Sequence, residues 1–130
     1  MRDILFRGKR KDNREWVYGY VYRIWERVYI LWGMTNDVPN MIEVDPETVG
    51  QYTGLTDKNG KKIFEGDIVE HHVQGDILVN RGVIVWDERN GCWLHQLNTM
   101  RPTLYMFNSK AWKIIGNIHD NPELLQKMEG

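Results

Sequence analysis

Residues with reactive side chains are few and scattered along this chain. His71 and His72 are neighbours, and neighbours on a strand point to opposite faces, so they would not chelate one ion together. His95, His119 and the single Cys92 stand apart, with no Cys-x-x-Cys or His-x-x-x-His spacing to suggest a metal centre. The single serine, Ser109, lies beside Lys110, and no histidine is near it in sequence. Cys92 is followed by Trp93 in a strand-like run and reads as packing. Asp67, Asp87 and Glu88 could be drawn together with His71 into a hydrolytic site, but no spacing requires it. The segment Tyr52-Thr53-Gly54-Leu55 through Gly60 lacks the Gly-x-x-x-x-Gly-Lys-Ser/Thr pattern and the long following helix of a phosphate cradle. The sequence therefore predicts no catalytic residues, no metal ligands and no cofactor. A small hydrolase or nuclease is the least favoured class.

The clearest binding feature is basic and aromatic. Arg7, Lys9, Arg10, Lys11 and Arg14 cluster near Trp16, Tyr18 and Tyr20. Cations neutralise phosphates and aromatic rings stack on bases, so Arg7, Lys9, Arg10, Lys11 and Trp16 are the candidate contacts for a nucleic acid or another partner. Asp12 and Glu15 interrupt the cluster, which also fits an ordinary solvated hairpin tip.

The 130 residues carry a net charge of −1, so the chain as a whole exerts no pull on polyanions. Its charges are unevenly placed. Residues 1–36 hold eight basic and four acidic residues, and residues 37–76 hold three basic and nine acidic. Opposite-sign segments suit self-association or internal pairing. A protein partner is accordingly expected, with nucleic acid as the alternative. No run approaches the ~20 apolar residues that span a bilayer, and no apolar signal core follows Met1. With one cysteine and no internal disulfide, the expected setting is a reducing cytoplasm.

The elements that would position these residues are strands. Ile4-Leu5-Phe6 opens the first. Trp16-Val17-Tyr18-Gly19-Tyr20-Val21-Tyr22 is a second, rich in β-branched and aromatic residues, where Gly19 marks a bulge or a close backbone approach. Ile24-Trp25 and Val28–Trp32 form a third strand region, Thr35–Asn40 a loop broken by Pro39, and Met41–Val44 a short strand. Asp45-Pro46-Glu47-Thr48 has a capping Asp, a Pro suited to the first helical position and an early Glu, so it starts a helix of one or two turns. Asn59-Gly60, Gly66-Asp67, Gly75-Asp76 and Asn90-Gly91 are turns between further strands, through Leu104–Phe107 and Lys113–Ile118. Asn121-Pro122-Glu123 starts a last short helix bearing Leu124, Leu125 and Met128. Six tryptophans enrich the strands, and Trp16, Trp32, Trp86, Trp93 and Trp112 are expected to be buried. Several exposed in one patch would mark a protein interface.

The predicted fold is mainly β: a small barrel-like antiparallel architecture, with an SH3-like barrel as one candidate, an N-terminal β-hairpin lobe and one or two short helices. The expected organisation is one domain of 130 residues, with a lobe over 1–44, a barrel-like part over 45–119 and a short helix over 120–130.

From Glu43 onward the sequence resembles a known family. Val44-Asp45-Pro46-Glu47-Thr48-Val49-Gly50-Gln51-Tyr52-Thr53-Gly54-Leu55, followed by Asp57-Lys58-Asn59-Gly60-Lys61 and Ile63-Phe64-Glu65-Gly66-Asp67-Ile68-Val69, is similar to the central signature of YopX-like proteins. Phe6-Arg7-Gly8-Lys9 with Trp16–Tyr20 looks like the family's opening hairpin, and Ile115-Gly116-Asn117-Ile118 through Leu125 like its closing strand and tail. The resemblance implies a mainly β fold and an origin in phages or prophages, in the cytoplasm of a bacterial host. It carries no catalytic motif to transfer residue by residue. Gly50, Tyr52, Thr53, Gly54, Leu55, Asp57, Gly60, Gly66, Asp67, Gly116 and Asn117 are the signature positions, and turn chemistry accounts for them as structural.

Overall fold

A computed structural model describes residues 3–73, 77–97, 102–105 and 111–126. The expected Gly75-Asp76 turn, Met106 and Phe107, Ser109 with Lys110, and Met128 lie outside these residues. The described chain is mainly β, in two antiparallel sheets, and divides into two compact units, residues 1–52 and 53–130.

In the first unit β1 (Phe6–Lys9), β2 (Trp16–Ile24), β3 (Arg27–Thr35) and β4 (Val38–Val44) lie in the order β4-β3-β2-β1. The first residues of β5 (Gly50–Thr56) pair with β1, Gln51 opposite Phe6 and Gly50 opposite Arg7. Side chains alternate across this sheet. Its inner face buries Val28, Ile30 and Val44, packed by Phe6, Val17, Val21, Ile42 and Val49. Gly19 sits in an unbroken register, with Phe6 on one side and Tyr20–Leu31 continuing on the other, so it is no bulge. A Cβ there would fall 2.0 Å from the Leu31 carbonyl oxygen, so the strands approach too closely for any side chain.

Two turns differ from expectation. Ile24 ends β2 rather than opening a third strand, and Trp25-Glu26 is the two-residue turn into β3. The supposed loop at Thr35–Asn40 is a tight hairpin. Asn36 and Asp37 both take positive φ, 51° and 64°, as a type I′ turn requires, and β4 starts at once. Pro39 fits inside β4 because that strand is the edge of the order. The capping signature at Asp45 gives a 3-10 helix over Pro46–Thr48, where the Asp45 side chain accepts from the Glu47 N–H.

The second unit begins within β5 and adds β6 (Lys62–Phe64). Its sheet has the order β10-β9-β8-β7-β11, formed by β7 (Asp67–Val73), β8 (Ile77–Asp87), β9 (Cys92–Leu97), β10 (Pro102–Tyr105) and β11 (Trp112–Asn117). No ladder among the described residues joins β10 to β11 into a closed barrel. Helix α1 (Glu123–Gln126) follows. The core gathers Ile63, Val69, Ile84 and Trp112, with Leu55, Trp93, Ala111 and Ile114 around them.

Family-signature residues tie this unit together. The buried Asp57 carboxylate accepts from the N–H groups of Asn59 and Lys61, closing the turn at Gly60, and from Ile114 N–H on β11. Buried Asp67 accepts from Phe64 N–H at 2.7 Å and so closes the turn at Gly66, whose φ is +91°. Asn117 Oδ1 accepts from the N–H groups of His119 and Asp120. Thr53 Oγ1 donates to the Ile63 carbonyl. The stretch weighed as a phosphate loop is therefore a β-strand up to Thr56 followed by the turn that Asp57 closes.

The left-handed conformation at Gly66 predicts that Gly66→Val destabilises the protein by about 1–3 kcal/mol, since a β-branched residue is strained there. Urea unfolding followed by tryptophan fluorescence measures this, and an unchanged midpoint would refute it.

Candidate binding face and the family

The predicted basic contacts are brought together on β1 and the turn after it, but most are already engaged. Arg7 is buried, 6% exposed, and its guanidinium lies 4.5 Å over the Trp16 ring. Lys9 Nζ is 5.5 Å from the same ring. Arg10 forms a two-bond pair with Asp12, Lys11 pairs with Glu43 at 2.9 Å, and Arg14 pairs with Asp45 at 3.1 Å. Arg7 is thus not a surface contact, being almost wholly buried with its guanidinium packed on Trp16. The last two pairs join residues of the basic first segment to Glu43 and Asp45 of the acidic second one. Part of the charge asymmetry is therefore consumed inside the first unit. Hydrogen bonding from Arg10 holds the Asp12 carboxyl below its usual range; the Glu47 N–H and then Arg14 do the same for Asp45.

Tyr18 and Tyr20, which the sequence places beside this cluster, belong to a longer row that includes Tyr22. The alternation that turns Val17, Gly19 and Val21 inward turns Tyr18, Tyr20 and Tyr22 outward, and they are 47%, 60% and 47% exposed. Cross-strand pairing places Tyr29, Leu31 and Met41 on the same outer face, Tyr22 opposite Tyr29 and Leu31 opposite both Tyr20 and Met41. The Tyr22 and Tyr29 rings are 6.4 Å apart and tilted by 43°, so neither covers the other. Arg27, opposite Ile24, adds a cation hydrogen-bonded to the Tyr29 side chain, which raises its pKa. The sequence reading expected burial for the tryptophans and did not use the period-two spacing to assign the tyrosines to one face.

Trp25 is the most exposed large apolar residue described, at 89%, and takes φ +53° at the β2–β3 turn. Of the tryptophans expected to be buried, Trp112 is, whereas Trp32 and Trp86 are exposed at 41% and 44%. Trp32 lies opposite Asn40 next to the register shift of the β3–β4 ladder, and Trp86 packs edge-on against Trp93 at 4.9 Å.

The histidines of the second unit are structural in setting. His71 stacks on Trp112 and His95 meets the same ring edge-on, each 4.6 Å away. His95 is fully buried and hydrogen-bonds the Val69 carbonyl oxygen at 3.2 Å. Gly82 makes room, since a Cβ there would lie 2.8 Å from His95 Nε2. As expected for strand neighbours, His72 turns away from His71 and bonds Glu70, which also accepts from Arg81 at 2.8 Å. Burial pushes the Glu70 carboxyl up, but the bonds from Arg81 and His72 outweigh it and hold it low. Asp67 and Asp87 are engaged in turns, Asp87 with Arg89 N–H and the Asn90 side chain. Among the described residues no group of three His, Cys, Asp or Glu side chains is placed to hold a metal ion. No described helix is long and apolar enough to cross a membrane.

These features define a mainly β protein of two sheets with an aromatic outer face in its first unit. The chain belongs to the YopX family: the family model described as YopX protein matches residues 5–126. Among solved structures it is similar to the crystal structure of protein EF1440 from Enterococcus faecalis, at 22% identity and a TM-score of 0.57, over 96% of this chain and 99% of that one. That likeness supports the fold alone. A search of curated proteins gave no match.

Two predictions follow from this geometry. Burial lowers the His95 pKa from 6.5 to about 4, and burial also lowers that of His71. The unfolded chain then binds protons that the folded chain refuses. Stability from this source is complete above pH 6.5 and falls as pH drops toward 4, by up to about 3 kcal/mol for His95. Urea midpoints at pH 7.5, 5.5 and 4.5 test it; a His95→Gln variant that remains folded should show a clearly shallower fall, and a fall equal to that of the wild type would refute the assignment to His95. Trp25→Gly relieves a left-handed tryptophan that has almost no packing to lose, and should stabilise the first unit by about 1 kcal/mol in thermal unfolding.

Proposed function

We propose that this protein is a non-enzymatic binding module whose working surface is the outer face of the first unit's sheet. The observation that supports this is the row Tyr18, Tyr20 and Tyr22, roughly half exposed on one strand whose opposite face is packed as core. Exposed aromatic surface of this extent marks a contact site more often than inert surface. An origin in a phage or prophage and a place in the host cytoplasm, both implied by the family resemblance, belong to this reading.

A second reading, assembly through protein contacts including self-association, draws on the apolar Ile24 and Met41 beside the tyrosines, since interface cores are rich in aromatic residues and Met. The uneven charge favours self-association less, because Lys11–Glu43 and Arg14–Asp45 satisfy part of it within one chain.

The test compares the wild-type protein, immobilised in host extract, with a Y18S/Y20S/Y22S variant. The variant should keep its melting temperature within a few degrees, because the replaced rings are exposed, and should retain none of the protein or nucleic acid that the wild type captures. Equal capture by both would place the contacts elsewhere and overturn the reading.

A further inference from the structure

We infer that Asn59 is a site of spontaneous modification, where the Asn59-Gly60 turn converts to aspartate and isoaspartate and thereby loosens the edge strand β11. The inference is independent of the binding face and concerns only the second unit.

The chemistry needs no partner beyond water. The Gly60 backbone nitrogen attacks Cγ of Asn59 and forms a C–N bond. The Cγ–Nδ2 bond breaks, and the side-chain nitrogen leaves as ammonia with the proton that Gly60 gives up. Water then opens the cyclic imide at either of its carbonyls. One opening gives aspartate. The other gives isoaspartate, in which the main chain runs through the former side chain and gains a methylene. A following glycine favours ring closure, because no Cβ crowds the attacking nitrogen. The sequence holds two such pairs, Asn59-Gly60 and Asn90-Gly91.

The fold treats the two pairs differently. Both are exposed, and both have an aspartate beneath the turn. Asn90 is tied down: its Nδ2 donates to Asp87 Oδ2 at 2.7 Å, and the Gly91 N–H donates to the Asp87 carbonyl oxygen at 2.8 Å. Leaving group and nucleophile are both held there. A carboxylate against the amide also opposes the negative charge that builds as the ring closes. At Asn59 the matching carboxylate is turned to the backbone, where Asp57 accepts from the N–H groups of Asn59, Lys61 and Ile114. Among the described residues the Asn59 carboxamide has no hydrogen-bond partner. Only the nucleophile is held, by the Gly60 N–H bond to the Asp57 carbonyl oxygen at 3.0 Å. Lys58 and Lys61 flank this pair, and nearby positive charge eases loss of the Gly60 amide proton. Around Asn90, Arg89 is offset by Glu88 and Asp87.

The same turn holds the edge of the sheet. β11 is the last strand in the order and pairs with β7 on one side. Toward the turn, the Trp112 carbonyl oxygen accepts from the Lys58 N–H at 2.8 Å, and the Ile114 N–H donates to Asp57 Oδ2 at 3.0 Å. A methylene added after residue 59 moves Gly60 off the Asp57 carbonyl and Lys61 off the Asp57 carboxylate. The turn opens, and its hold on β11 weakens.

The experiment ages the full-length chain in mildly alkaline buffer, native and in guanidinium chloride. Both sites are followed by cleavage before aspartate residues and mass spectrometry. The peptide 57–66 reports on Asn59, and the peptide that starts at Asp87 reports on Asn90. A new cut before residue 59 marks aspartate, and an uncut peptide with the amide-to-acid mass change marks isoaspartate. In the native protein Asn59 should convert about fivefold faster than Asn90, the factor that one net hydrogen bond is worth. In denaturant the two rates should converge, because both sites are Asn-Gly. Asp87→Ala should speed conversion of Asn90 and leave Asn59 unchanged. The Ile114 amide should exchange with deuterium faster in the isoaspartate form. An Asn59→Gln variant, whose longer side chain closes a ring far more slowly, should keep the fresh protein's exchange rate after the same ageing.

No acid at residue 59 in the aged native protein, conversion of Asn90 as fast as Asn59, or the same preference persisting in denaturant would each overturn the inference. An isoaspartate form whose Ile114 amide exchanges like that of fresh protein would overturn the link to β11.

Discussion

The first unit depends on one close approach, that of Gly19 to the Leu31 carbonyl. With a Cβ only 2.0 Å from that oxygen, no other residue fits without displacing a strand. The contact therefore fixes the register of β2 against β3. A slip of one residue would exchange the two faces of the strand, sending Val17 and Val21 to solvent and the tyrosines into the core. The inner cluster of Val28, Ile30 and Val44 and the outer aromatic row are two results of one constraint.

The second unit solves a different problem, that of turning a chain often without leaving polar groups bare. Asp57, Asp67 and Asn117 each direct a side-chain oxygen at backbone N–H groups in a turn, and Asp57 also reaches across to β11. Buried carboxylates are tolerated there because each is met by donors. These residues look chemical in sequence, and their chemistry is spent on the backbone.

Much of the fold was legible from local signals. The Asp45-Pro46 cap, the Asn59-Gly60 and Gly66-Asp67 turns and the alternating run at β2 all read correctly, because each depends on the conformational preference of a few adjacent residues. The tight Asn36-Asp37 hairpin was read as loop because Pro39 looked like a breaker, and only the strand order shows that β4 is an edge. The candidate site was less legible. That Arg7 is buried depends on how the chain packs around it, and that Lys11 finds Glu43 depends on β4 returning some thirty residues later. Composition announced aromatic residues, but which of two faces stays open is decided by what packs above each, and that is not written in any short window.

Pro39 has a further consequence, for behaviour when the chain is crowded. It lies on the outermost strand of its sheet, next to the exposed Val38 and two residues before the exposed Met41. An apolar outer strand of this kind is a template on which other chains can zip into fibrils. The imino ring removes one backbone donor from that template, so an incoming strand meets a gap in its ladder. The protein can thus display sticky side chains at its margin and still resist polymerising when it accumulates to high concentration.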